Sequence, residues 1–489
     1  MGCNGEKRLL FKTALHPQYA KQIQRFLTGK FFSVKGEQIM ASFVIDSELF
    51  RDQYGTEEMR QIFSDRQLIQ NWMSAWVALS AAEAELGIVP KEAAEQIKNC
   101  AKAENMDMDT IRKGFFTTSH PLMPQIREFE RVCGKEAGEW IHWGATTQDI
   151  MDTAVVLQIK DAQAIIETHV KELLRLALKH AVANRDLTAA GRTHGQHAVP
   201  ITLGYKIAIW ANEFGRHLER LEQGKERYLV GELSGAAGSL ASLYEKGLAV
   251  QDKYCKNLGL NTPTITWHVQ RDGFAEFASI VSMIAGTVGK IANEFINLER
   301  TEICELEEGF SMGKIGSSTM PHKRNPMVCE NILATCRIVQ ANANLAFGAM
   351  IQEHERDMSF WQTEWSYIPQ ICIMLDGAMA MLKQILEGMI VRKDHIRRNL
   401  YMTKGLIVSE RVMLTLGKYI GRQTAHDVIY EASMKAFDED CLLGDILKKD
   451  ERVTSRIPAE VLEEVLEPMH YTGSCGKMVD QVVAKWGNI

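Results

Sequence analysis

The chain has 489 residues, of which 46% are hydrophobic, 24% charged and only 8% aromatic. That length allows roughly three domains around a sizeable core, and the composition excludes a disordered, collagen-like or disulfide-stapled chain. Lysine and arginine total 56 against 62 for aspartate and glutamate, a net charge of −6, which leaves no basic excess for a nucleic-acid partner. Ten scattered cysteines without a CxxC pair fit the reduced thiols of a cytoplasmic protein. No run of 18 apolar residues reads as a membrane span.

Residues 1–39 are basic and mixed, without the apolar stretch of a signal peptide, and Glu6 stands where a myristoylation signal wants Ser or Thr. Two readings stay open for them: an upstream start that precedes the true one at Met40, or a helical arm. Helices are expected throughout the rest. Leu68, Ile69, Trp72, Met73, Trp76 and Leu79 recur at spacings of three and four, one face of a helix over 64–86 that Gly87 and Pro90 terminate. From Met151 to Ala190 there is neither Gly nor Pro. The helical period there predicts one helix of roughly 50 Å or more. A second long helix is predicted over 273–300, a third over about 327–353 and a fourth over about 368–391. Such lengths call for a bundle rather than a coiled coil, because Gly, Asn and charges interrupt the seam. The implied order is an extension (1–39), an N-terminal helical domain (40–149), a central long-helix bundle (150–392) and a C-terminal helical domain (393–489).

Four loops carry the candidate chemistry. In GSSTMPHKRNP, 316–326, small residues free the backbone N–H groups while Pro321 and Pro326 keep the loop out of helix. Lys323, Arg324 and Asn325 suit a substrate with carboxylates and a transition state that builds negative charge. A solvated basic loop is the plain alternative. In GRTHGQHAVP, 191–200, His194 and His197 could serve as acid/base groups or as structural histidines, and no companion ligands lie nearby for a closed zinc site. In HWGATTQD, 142–149, Thr146 and Thr147 could hold a carboxylate, while Asp149 could simply cap a helix. In TTSHPLMP, His120 taken alone reads as structural.

Together these motifs resemble those of the fumarase/aspartase superfamily, over about residue 47 to the C-terminus. Within it the chain is similar to the branch holding adenylosuccinate lyases and 3-carboxy-cis,cis-muconate cycloisomerases, and KGLIVSE and PMHYTG resemble the C-terminal domain of the former. The resemblance implies an all-α, three-domain subunit whose long helices form the central bundle of a homotetramer. It also implies β-elimination of fumarate from a substituted succinate, with no metal or organic cofactor. Proton abstraction at Cβ would fall to Ser317 and leaving-group protonation to His194, oriented by Glu330. Lys323 and Asn325 would bind substrate carboxylates, with Thr146, Thr147, Thr193, His120, Gln270 and Arg356 completing the substrate contacts.

The departures bear on the substrate. Gln53 stands before Tyr54 where adenylosuccinate lyases carry a phosphate-side arginine. Trp361 and Trp365 replace a serine and an arginine, and Trp267 replaces a glutamine. WHVQRD and the HER…W..EW pattern look like the cycloisomerase side, whereas His120 does not. The expectation is a cytoplasmic lyase for a small di- or tricarboxylate, its tryptophans lining the pocket around the non-succinyl part. A cycloisomerase is the runner-up. A catalytically silent structural relative is the reading from a different class, and intact Ser317, His194, Lys323 and Glu330 argue against it.

Overall fold

A computed structural model describes residues 43–309, 317, 319–320 and 322–489. The 1–39 extension, and Gly316, Ser318 and Pro321 of the signature loop, lie outside the described residues. The principal elements are α1 (Asp65–Glu85), α2 (Met123–Cys133), α3 (Thr147–Ala183), the hairpin β1 (Thr188–Thr193) and β2 (Gln196–Thr202), and α4 (Leu203–Tyr228). They continue as α5 (Asp272–Leu298), β3 (Leu306–Glu307), α6 (Met327–Ala343), α7 (Met358–Gly388), β4 (Ile390–Val391), α8 (Ser409–Ile420), α9 (Arg422–Asp438) and α10 (Cys475–Trp486).

The chain is predominantly helical, as expected of an all-α fold, and the described residues add two short two-stranded sheets. The helix expected over 151–190 begins four residues earlier and ends at Ala183. Asp149 sets the start by accepting the Thr146 N–H at 2.8 Å. At the other end, Asn184 turns its amide back onto the His180 carbonyl, and the chain enters β1. The strands β1 and β2 pair antiparallel with Thr193 opposite Gln196, so His194 and Gly195 form a two-residue turn. Both have positive φ, 53° and 78°, as a tight hairpin of this length requires. The third predicted helix is also shorter: α6 stops at Ala343, and a five-residue helix, Leu345–Ala349, follows. The fourth starts ten residues before Ile368, because the Asp357 side chain caps it at Ser359 N–H and Pro369 is carried inside.

In the bundle, α5 packs against α4, α6 and α7, and α3 against α4 and α7. By length and composition α5 could cross a membrane, yet most of its apolar stretch is buried inside the chain. Three neighbouring helices bury Phe277, Val281, Ile284, Val288 and Ile291 of α5, while Met283 on α5 and Val182 on α3 remain exposed. Further exposed apolar side chains lie at Ile338, Leu345, Phe347, Met350 and Ile351. A second apolar cluster joins α1, α2 and the first turns of α3, and a third is built mainly by residues 400–466. Within the C-terminal region α10 returns to the bundle, where the Trp486 indole N–H donates to Asn212 at 2.9 Å.

Candidate active site

The start of α3 gathers the first group of predicted residues. His120 Nδ1 accepts the backbone N–H groups of Leu122 (3.3 Å) and Met123 (3.1 Å), so the neutral ring carries its proton on Nε2. That nitrogen faces Thr147 Oγ1 at 3.4 Å. Arg356 reaches the same turn, donating to Thr146 Oγ1 at 2.7 Å and to Gln148 Oε1 at 3.3 Å. His120, Thr146, Thr147 and Arg356 thus form one half-buried corner, with a guanidinium, an imidazole N–H and two hydroxyls. That donor set suits a carboxylate.

This corner rests on buried polar groups. Gln148 donates to Asp152 (3.0 Å) and to the His268 carbonyl (2.9 Å). Asp152 accepts from Arg271, which also pairs with Glu364, all three buried. The chain Glu364–Arg271–Asp152–Gln148–Arg356 therefore runs from the helix core to the Thr146 hydroxyl. Trp361 belongs to it too: its indole is buried and donates to Asp152 at 2.7 Å. Trp267 gives its indole N–H to the Gly231 carbonyl at 3.0 Å and lies 5.0 Å from the Arg271 guanidinium. Of the three tryptophans expected to line a substrate pocket, Trp361 is buried in the ion-pair network, whereas Trp365 borders a cavity beside Pro121 and Trp267 borders a second cavity with Gln270.

Asp149 does more than cap α3. It also accepts the N–H groups of Ser234 (2.9 Å) and Gly235 (3.0 Å), and faces His268 Nε2 at 2.7 Å. With Glu232 these are the residues, among those described, that come close enough to hold a metal ion. The Asp149 oxygens are already taken by N–H donors, so the trio reads as a hydrogen-bonded clamp between two loops. Burial pushes Glu232 up to about 7 against the pull of His268. Burial would lower His268, but Asp149 and Glu232 outweigh it and hold the imidazole above its ordinary value.

The second group of predicted residues lies apart. His194 is exposed at the hairpin tip, in left-handed backbone, next to exposed Thr193. Glu330, in the first turn of α6, and Lys323 are exposed, and Asn325 is half-buried. Among the described residues no hydrogen bond or ion pair joins His194 to Glu330, to Ser317 or to the Thr146 corner. Gln270 is exposed, and its amide donates to the Thr266 carbonyl at 2.8 Å. Ser317 Oγ accepts the backbone N–H groups of Met320 (3.1 Å) and Thr319 (3.4 Å), donors that favour a negative oxygen.

Three carboxylates that sequence reasoning missed anchor this second group. Glu305 pairs with Arg192 of the hairpin, Glu307 with Arg324 of the signature loop and with Arg392, and Glu308 accepts the N–H groups of Val328 and Cys329 at the start of α6. Their one signal in the sequence is the acidic segment CELEEG, which forms no recognisable motif of its own.

The described residues thus present a bundle of long helices with a donor-rich corner at the start of α3 and an exposed histidine at the hairpin tip. The lyase family matches residues 51–341 and the adenylosuccinate lyase C-terminus family residues 405–482. The chain belongs to the lyases of the fumarase/aspartase superfamily. It is 43% identical to the N-acetyl-S-(2-succino)cysteine lyase of Enterococcus italicus, covering 91% of this chain and 98% of that protein. It is 40% identical to the adenylosuccinate lyase of Methanocaldococcus jannaschii, over 88% and 94%. Among solved structures, the β-carboxy-cis,cis-muconate cycloisomerase of Acinetobacter calcoaceticus superposes with a TM-score of 0.84 at 35% identity, over 90% of this chain and 100% of the other.

Proposed function

We propose that the chain eliminates fumarate from a succinyl thioether, breaking the C–S bond of an S-succinylated thiol. Ser317 Oγ takes the Cβ proton, the electron pair forms the fumarate double bond, and the sulfur leaves as a thiol carrying the proton from His194. Thr146, Thr147, His120 and Arg356 hold one carboxylate of the succinyl group, and Lys323 and Asn325 meet the other from the signature loop. Gln270 and Thr193 are proposed as outer contacts of the same substrate. The observation that carries this reading is the Arg356–Thr146–Thr147–His120 corner, a donor set that suits a carboxylate. The thioether is supported by the name of the Enterococcus relative. Because the two groups of residues lie apart in one subunit, the proposal includes a homotetramer whose sites combine His194, Ser317 and Thr146 from different subunits. The exposed apolar side chains from Ile338 to Ile351 supply surface for that association.

The test measures fumarate release from S-(2-succino)-N-acetylcysteine and from adenylosuccinate, and lactone formation from 3-carboxy-cis,cis-muconate, in parallel. Release from the thioether alone is expected. Efficient cleavage of adenylosuccinate would replace the thioether reading while keeping the elimination chemistry. Lactone formation from the muconate would favour the cycloisomerase, a second reading that the WHVQRD and HER…W..EW patterns keep open.

A further inference from the structure

Arg356 is held in place without an acid. Its Nε donates to Gln148 Oε1 at 3.3 Å, and its Nη1 donates to Thr146 Oγ1 at 2.7 Å and to the Ala236 carbonyl at 3.3 Å. All three acceptors are neutral. Nη2 makes no hydrogen bond to the described residues, and no carboxylate among them pairs with the guanidinium. A half-buried cation fixed only by neutral groups keeps its charge, and one edge of its fork, for an anion.

The two acceptors of Nη1 come from separate segments, and one buried carboxylate sets both. Asp149 accepts the N–H groups of Thr146 (2.8 Å) and Gly235 (3.0 Å) on the same oxygen, Oδ2. Thr146 supplies the hydroxyl that Arg356 reaches, and Gly235 directly precedes the carbonyl that it reaches. Oδ1 takes the Ser234 N–H at 2.9 Å and faces His268 Nε2 at 2.7 Å, so the carboxylate is engaged on both sides. The loop is fastened again further along. Leu240 returns its N–H to the Ser234 carbonyl at 2.8 Å, and the Ser242 hydroxyl donates to the Gly144 carbonyl at 2.7 Å, two residues before Thr146. Gly144 lies in left-handed backbone at φ 70°, where a Cβ would stand 2.6 Å from Leu243 Cδ2. The loop 234–243 and the turn 144–149 thus form one unit, tied by Asp149 and Ser242, and Arg356 is bonded to both parts of it.

We propose that Asp149 and Ser242 are positioning residues for substrate recognition: by fixing the loop 234–243 against the turn 144–149 they aim the Arg356 guanidinium at a substrate carboxylate. The inference rests on the reading of the Thr146 corner as a carboxylate site, and it does not depend on which leaving group the substrate carries. Neither residue need touch the substrate. They set where the cation stands, and a fork out of place loses the directional part of a charge-assisted hydrogen bond.

Calorimetry with fumarate as the ligand, alongside KM and kcat for S-(2-succino)-N-acetylcysteine, tests this on the full chain. Asp149→Asn keeps the shape, but in either orientation of the new amide one loop N–H, of Ser234 or of Gly235, faces an NH2 group instead of an oxygen. It should weaken fumarate binding and raise KM about tenfold, with kcat changed much less. Ser242→Ala should do the same by about threefold, the worth of one exposed hydrogen bond. In an Arg356→Lys background, where the fork is already lost, each change should add less than about twofold. Losses that multiply with that of Arg356→Lys, or that fall on kcat alone, would make both residues merely structural and overturn the proposal. Unchanged fumarate binding in either variant would remove that residue from the role. If Arg356→Lys binds fumarate as wild type does, or wild type does not bind it, the carboxylate reading of the corner falls and takes the positioning with it. If the thioether is not turned over, that reading falls while the fumarate comparison still decides this one. Should Asp149→Asn fail to fold, the exposed Ser242→Ala carries the same comparison.

Discussion

The Thr146 corner and the hairpin tip carry residues of comparable chemistry in opposite physical states. At the corner Arg356 is fixed by Thr146 and Gln148, and behind Gln148 a buried ion pair continues into the bundle. At the tip His194 is exposed, and Glu330 and Lys323 stand exposed at and before the start of α6. The corner's donors are therefore held in place within one subunit, whereas the candidate acid/base groups at the tip are exposed. A preorganised corner binds in a fixed geometry, and exposed proton-transfer groups gain their special reactivity only when enclosed.

The largest effect should come from the unfinished half. Ser317→Ala should lower kcat by at least about three orders of magnitude with KM little changed, as the proposed role of its hydroxyl in the chemical step requires. Its thermal stability should stay within about 0.5 kcal/mol of wild type, as for most loop changes. Single-turnover kinetics would check this, and a mild Ser317→Ala alongside a crippled Ser318→Ala would show that the base had been assigned to the wrong serine. Mixing inactive Ser317→Ala and His194→Gln proteins should restore part of the activity if the two residues meet across subunits.

The finished half should respond in stability instead. Arg271→Met leaves Asp152 and Glu364 buried together without their cation, and should cost about 3–5 kcal/mol. Urea unfolding measures it; a loss below about 1 kcal/mol would mean that the pair is not the corner's foundation. Closer to the substrate, Arg356→Lys keeps the charge but loses the planar fork that spans Thr146 and Gln148. It should raise KM about 10- to 100-fold while changing stability little. A drop confined to kcat would instead place Arg356 in the chemical step.

The two halves also differed in how far the sequence revealed them. Helical spacing marked α1, α3 and α5, because a buried face repeats over many turns. The signature residues were visible because they cluster within a few positions, as in Thr146–Thr147 and Lys323–Asn325. The hairpin was hidden: its strands of six and seven residues are too short for alternation to stand out, and the preceding 40 residues free of Gly and Pro extended the helix reading over β1. The start of the fourth long helix was placed too late, because the true cap, Asp357, lies ten residues or more before the apolar run that marked it. Long-range partners such as Glu305 with Arg192, or Trp361 with Asp152, left no trace at all. Their spacing in sequence, 113 and 209 residues, carries no period.

A smaller effect would show whether the Asp149–His268–Glu232 clamp belongs with the rigid half. Burial raises Glu232 from the ordinary carboxylate value to about 7, so between pH 4.5 and 7 the folded chain keeps a proton that the unfolded chain has lost. That contribution to stability is complete below about pH 4.5 and disappears as the pH rises through 7, giving at most about 1.4 kcal/mol per pH unit for one linked proton. Glu232→Gln mimics the protonated acid and cannot titrate. The variant should match wild type near pH 5 and gain on it steadily up to pH 7.5, even though His268 titrates in both proteins. Thermal unfolding of the pair across that range reads the difference directly. A gap that stays constant with pH would mean that Glu232 is ionised throughout, with His268 charged beside it, and that the clamp is an ion pair rather than a shared proton.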